Sequence, residues 1–131
     1  MVERKYVPVR CFKGDKPSIT VTLTNVMGES IELTLRVDTG FDGSVLLDKE
    51  MYRKFIVGEL PESMWRRFKT LNGYLVMRTA KAVLMIEDKQ LETLVLTPND
   101  FEGKNLIGLE VLKELAIMFK EGKATCIMKA E

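Results

Sequence analysis

The sequence predicts a mostly β domain with one or two short helices. Two segments, Ile19-Thr20-Val21-Thr22-Leu23-Thr24 and Ile31-Glu32-Leu33-Thr34-Leu35-Arg36-Val37, alternate apolar and polar residues with the period of two that marks a half-buried strand. Turn-forming residues punctuate the chain closely, at Gly28-Glu29-Ser30, from Gly58 to Ser63 around Pro61, at Asn72-Gly73 and at Asp88-Lys89. The 131 residues suffice for one real core and one domain, spanning 1–131. No linker, repeat or low-complexity segment interrupts them.

Taken in order, the two alternating strands make a hairpin that runs into Asp38-Thr39-Gly40. Val45-Leu46-Leu47 then returns as a short strand. Asp48 is placed to cap a helix over about Lys49 to Val57 that buries Met51, Phe55 and Ile56. The run Trp65-Arg66-Arg67-Phe68-Lys69 reads as a short helix with a solvated basic face and an anchored Trp. Asn72-Gly73 suits the tight turn of a β-hairpin, with Lys69 to Leu71 and Tyr74 to Met77 as arms. A long strand follows over Ala80 to Glu87, turns at Asp88-Lys89 and returns as Leu91 to Leu96. Thr97-Pro98-Asn99-Asp100 makes a loop to Asn105-Leu106-Ile107-Gly108, and Leu109 to Leu115 reads as a helix. Ile117-Met118-Phe119 and Ala124-Thr125-Cys126-Ile127-Met128 then flank the turn Glu121-Gly122-Lys123.

Composition narrows the chemistry. The formal net charge is +1 with acids and bases interspersed, which argues against a nucleic-acid partner; the basic run at Trp65 is the densest but isolated. No apolar run approaches a membrane span, and Met1-Val2-Glu3-Arg4-Lys5-Tyr6 lacks the apolar core of a secretion signal, so no membrane partner and a cytoplasmic location are expected. Histidine is absent and the two cysteines, Cys11 and Cys126, have no metal-ligand spacing. That excludes Ser-His and Cys-His nucleophile pairs and ordinary zinc peptidases. A hydrolase built from this chain must use carboxylates, with no metal and no cofactor.

The segment Leu35-Arg36-Val37-Asp38-Thr39-Gly40 is an apolar strand that meets an acid, a hydroxyl and a glycine. The tripeptide alone is a weak signal, and a second match strengthens it. Asn105-Leu106-Ile107-Gly108, two apolar residues and a glycine leading into a helical pattern, lies at a matching distance down the chain. Together the two motifs resemble a retropepsin-like aspartic peptidase lobe, of the cellular archaeal and bacterial branch in which Asp-Thr-Gly is followed by Phe, here Phe41.

The resemblance implies a single-lobe acid protease fold, closed and barrel-like. It implies an aspartic endopeptidase acting on polypeptide. One Asp-Thr-Gly is present where the chemistry needs two facing carboxylates, so it also implies a homodimer with Asp38 from each copy at the two-fold axis. Asp38, Thr39 and Gly40 are then catalytic: the acid activates water, the hydroxyl bonds the partner loop and the glycine admits close approach. Phe41, Asp42, Asn72, Gly73, Ile107 and Gly108 are the expected substrate-binding positions. The Asn72-Gly73 hairpin corresponds to the family's flap over bound peptide; an ordinary hairpin with no lid function is the lesser reading. Two departures stand out. Leu109 follows Gly108 where retroviral enzymes carry an arginine that pairs with the acid equivalent to Asp42, and Phe41 is large where theirs is small. That ring either narrows the cleft or fills core space.

Rival readings fit less well. Asp38-Thr39-Gly40-Phe41-Asp42-Gly43 opens like an EF-hand loop, but its third position is Gly40 and its twelfth is Lys49 where a bidentate acid is needed. The serious alternative is a non-catalytic retropepsin-like dimerisation or peptide-binding module, since fold does not establish activity. The intact Asp38 favours the enzyme, because a buried pair of acids is costly for a scaffold. Cys11 and Cys126 lie near the two ends, where terminal strands of the retroviral family meet. The cytoplasmic expectation makes them two reduced thiols.

Overall fold

The computed structural model describes residues 5–99, 103–120 and 123–131. Ten strands and two short helices follow in the order β1 (Tyr6–Lys13), β2 (Ser18–Thr24), β3 (Ser30–Val37), β4 (Val45–Leu46), α1 (Lys49–Tyr52), β5 (Arg66–Thr70), β6 (Gly73–Ile86), β7 (Lys89–Thr97), β8 (Leu106–Ile107), α2 (Leu109–Leu112), β9 (Ala116–Lys120) and β10 (Ala124–Ala130). Strands β1, β10 and β9 make one sheet. The other runs β2-β3-β8-β4-β7-β6-β5, and β2 also pairs with β6 from Thr22↔Met85 to Thr24↔Val83, so the larger sheet returns on itself.

Alternation explains why these strands form. In β2, Ile19, Val21 and Leu23 point inward with at most 2% exposure, while the threonines between them face out. In β6, Ala80, Ala82, Leu84 and Ile86 also point inward, with at most 5% exposure. These residues meet Leu35, Val45, Val95, Tyr52, Phe55, Ile107, Val111 and Leu112 in the main core. A second, smaller cluster of Leu46, Met77 and Leu96 gathers Phe41, Phe68, Leu94 and Leu106 around it. Asp48 caps α1 as its position predicts, its Oδ1 accepting the Met51 backbone N–H at 2.8 Å.

Several expectations need correction. The helix expected to Val57 is α1 followed by a 3₁₀ segment, Arg53–Gly58; Phe55 is buried, but Ile56 is 42% exposed. The Trp65 run is not helical. Arg66 to Thr70 is a strand, because Arg66 and Phe68 face the domain while Arg67 and Lys69 face water. The two strands expected on either side of Met77 are one continuous strand of 14 residues. The hairpin turn is centred one residue earlier than expected, at Leu71-Asn72, and only Gly73 uses positive φ, at 122°, paired with Thr70. The helix expected to Leu115 ends at Leu112. Strand β1 has no counterpart among the expectations: Tyr6, Val7 and Val9 are all about half exposed, and a register shift between Pro8 and Arg10 interrupts the pattern. The expected loop at Thr97 to Asp100 and the turn at Glu121 to Lys123 lie partly outside the described residues.

The cysteines are not two thiols. β1 and β10 run antiparallel with Cys11 directly opposite Cys126, their Cα atoms 4.0 Å apart, and the two are joined by a disulfide. The expectation of reduced thiols rested on compartment. The strand register overrides it, since opposed positions on neighbouring strands bring the two sulfurs within bonding reach.

Candidate active site

Asp38 stands where β3 ends, and the second motif holds it there. The Asp38 backbone N–H donates to the Ile107 carbonyl at 3.0 Å, one residue beyond the parallel β3–β8 pairing of Val37 with Ile107. Three further bonds lace the Asp38 loop to the start of α2: Gly108 N–H to the Ser44 carbonyl at 2.7 Å, Leu109 N–H to the Phe41 carbonyl at 2.8 Å, and Glu110 N–H to the Gly43 carbonyl at 3.2 Å. The Ser44 hydroxyl, buried, donates to the Leu94 carbonyl on β7. These bonds tie the loop to α2 and β7 and fix its path.

Within the loop, Asp38 Oδ1 accepts the Gly40 N–H at 2.9 Å. Asp38 is half-buried, whereas Thr39, Gly40 and Asp42 are exposed. The carboxylate is therefore oriented by its own backbone while its neighbours present an open face. Ile107 is fully buried and Gly108 buried beside it. Asn72 and Gly73 sit exposed at the tip of the β5–β6 hairpin. A cavity of about 680 Å³ lies elsewhere, bordered by Thr24, Lys81, Leu94 and Val111, and no residue of the Asp38 loop lines it.

Phe41 fills space. Its half-buried ring joins the smaller apolar cluster and lies over Gly43 and Gly108, where added Cβ atoms would come within 2.5 and 2.6 Å of it. Bulk at 41 is accommodated by its absence at 43 and 108, which accounts for a large residue where retroviral enzymes have a small one.

Neither a protein-family profile nor a curated protein matches the chain. Solved structures do. A retropepsin-like aspartic protease from Rickettsia conorii superposes with a TM-score of 0.62 at 12% identity, covering 99% of this chain and 97% of that one. The EIAV protease complexed with the inhibitor HBY-793 superposes with a TM-score of 0.56 at 16% identity, covering 76% of this chain and 86% of that one. The fold is retropepsin-like.

A polar cluster secures the root of the β5–β6 hairpin. Trp65, just before β5, donates its indole N–H to the Leu60 carbonyl at 2.8 Å, and Thr79 Oγ1 accepts the Arg66 N–H at 3.0 Å. Beside them Glu59 Oε2 accepts both Arg78 Nε and the Tyr52 hydroxyl, each at 2.7 Å, and the Arg78 guanidinium lies over the Tyr52 and Trp65 rings. Burial works to raise the Glu59 carboxyl, but the bonds from Arg78 and Tyr52 outweigh it and hold the group below the usual carboxylate range. Burial, followed by the bond to Glu59, pushes the Tyr52 phenol up.

The signs give a pH prediction. A depressed carboxyl contributes stability above the unfolded pKa, and the contribution is lost as pH falls through the lower folded value. Glu59→Gln is expected to cost about 1–3 kcal/mol near neutrality, and the gap from the native protein should shrink below about pH 4. Urea titrations of both proteins at a series of pH values measure it; a gap constant down to pH 2 would show that the charge is not what matters.

Sequence reasoning missed Phe68, which packs with Phe41 in the small cluster beside the Asp38 loop. The signal was present in the alternation of Arg66, Arg67, Phe68 and Lys69, but a basic run between aromatic residues also fits a helix, and the helical reading hid it.

Proposed function

We propose that the chain is one half of a homodimeric aspartic endopeptidase. The observation that carries this reading is the Asp38-Thr39-Gly40 loop, exposed at the end of β3 and held by the backbone of the second motif through the Asp38–Ile107 bond. One carboxylate cannot be both acid and base to the same water. A second copy across a two-fold axis supplies the other, and the exposed Thr39 is placed to bond the partner loop.

Two Asp38 carboxyls at close range share one proton, as aspartic protease dyads are known to do, because two like charges in a poorly solvated site repel. The ionised member takes a proton from water, the water attacks the scissile carbonyl, and the other carboxyl protonates the carbonyl oxygen. Collapse of the tetrahedral species delivers a proton to the leaving nitrogen and restores the shared proton, with no covalent intermediate. In this reading Gly40 leaves room for the peptide backbone, Asp42 contacts it, Phe41 walls the cleft, and Asn72 and Gly73 close over it from the hairpin tip. Ile107 and Gly108 act by holding the loop rather than by side-chain contact with substrate.

No helix among the described residues is long and apolar enough to cross a membrane. A cytoplasmic setting fits the disulfide only where the cytoplasm preserves such bonds, as in hyperthermophiles; elsewhere the bond points to an oxidising compartment.

Two measurements test the proposal. Light scattering at micromolar concentration is expected to give the mass of two chains, and a single-chain mass would remove the second carboxylate and the mechanism with it. Incubation with a peptide library across pH is expected to show cleavage that Asp38→Ala lacks. A dimer that binds peptides and never cuts them would instead establish the non-catalytic binding module.

A further inference from the structure

The flap hairpin is joined to the rest of the domain by few contacts. Its ladder from Arg66↔Met77 to Thr70↔Gly73 is internal, and a two-stranded hairpin alone is marginal in water. Residues 69 to 76 are all exposed. Phe68 is therefore the outermost residue of β5 drawn out of solvent, and its ring lies 5.6 Å from that of Phe41 at an interplanar angle of 39°. Phe41 belongs to the loop that carries Asp38. Phe68 also meets Arg66, whose guanidinium lies 5.5 Å from the ring centre and whose Nη1 lies 3.1 Å from Glu110 Oε2 on α2. The pair of rings sits tightly: a Cβ at Gly43 would come within 3.0 Å of Phe68 Cζ as well as meeting Phe41.

We propose that Phe68 is a positioning residue, docking the flap onto the catalytic loop through Phe41, with the Arg66–Glu110 pair tying it to α2. The functional consequence rests on the peptidase reading; the docking itself does not. A tilted ring pair, a cation over a ring and a half-exposed ion pair are each weak. Their sum suits a flap that must favour the docked position and still open to admit and release a peptide. The same column gives Phe41 a second role beyond filling space: it carries the position of the flap to the residues flanking Asp38.

Hydrogen exchange on the full-length protein tests this without reference to cleavage. Phe68→Ala is expected to speed exchange in residues 66–77 about tenfold while residues 79–86 and 89–97 keep their protection, and Phe68→Tyr, which keeps the ring, should restore the native rate. Glu110→Gln, which frees Arg66 from a half-exposed pair, should speed the same residues about two- to fivefold. In cleavage assays Phe68→Ala should raise KM about tenfold with kcat within about threefold, and Phe68→Tyr should recover it. Unchanged flap exchange in Phe68→Ala and Glu110→Gln overturns the docking. Should Phe68→Ala loosen the whole domain, Glu110→Gln alone decides, and an unaltered flap there overturns it too. A native protein that cuts no peptide sinks the peptidase reading, while the exchange rates still judge the docking.

Discussion

Asp38→Asn is expected to lose peptide cleavage by at least about three orders of magnitude while remaining folded and dimeric. The substitution preserves shape: an Asn side-chain oxygen still accepts the Gly40 N–H that Asp38 Oδ1 accepts at 2.9 Å, and the bond from residue 38 N–H to the Ile107 carbonyl belongs to the backbone. What is lost is the carboxylate that, in the proposed mechanism, takes a proton from water. In the proposed dimer the two Asp38 carboxyls act as acid and base to one water, so the rate should trace a bell against pH, falling where either role is lost. A statine-type transition-state mimic, which bonds to both carboxyls, should bind the variant far more weakly than the native protein. Melting temperature and light scattering measure the retained fold and assembly. Undiminished cleavage by a clean Asp38→Asn preparation would falsify the mechanism and leave the dimeric binding module in its place.

The second large effect is expected from the disulfide. Cys11 and Cys126 are 115 residues apart in sequence, so the bond closes most of the chain into a loop. In the chain-entropy account a loop of that length stabilises the fold by about 5 kcal/mol, and measured losses for native disulfides run at about 2–5 kcal/mol. Cys11→Ala with Cys126→Ala should therefore lower the melting temperature by roughly 10 °C. The loss should be felt first in β1, whose Tyr6, Val7 and Val9 are half exposed and contribute little burial of their own. Without the cross-link, the ladder to β10 is the main hold on that strand. Thiol titration of unreduced, denatured protein is expected to find none, and Cys11, the exposed partner of the pair, should be the sulfur a reductant reaches first. Two titratable thiols, or a melting temperature indifferent to reductant, would contradict this.

The readable parts of the sequence were those where one side of an element faces the core. Ile19, Val21 and Leu23 in β2 and Ile31, Leu33 and Leu35 in β3 announce both strands and their inward faces, because burial on one face imposes a period of two on the residues themselves. Asp48 announced its helix because capping is a local bond, made within four residues. The strand β1 was silent for the converse reason: Phe12 alone is partly buried against the core, and one such residue imposes no period.

The sequence by itself determined the mostly β class, and its lack of histidine leaves any hydrolase built from it to use carboxylates. Those follow from local periodicity and from which side chains exist at all. Only the tertiary structure decided that Cys11 and Cys126 are bonded, that Arg66 to Thr70 is a strand, and that Phe41 meets Phe68 over Gly43 and Gly108. Each of these joins residues far apart in the chain. Their cause is the register between strands and the volume left between packed elements, and neither quantity is written in any single segment.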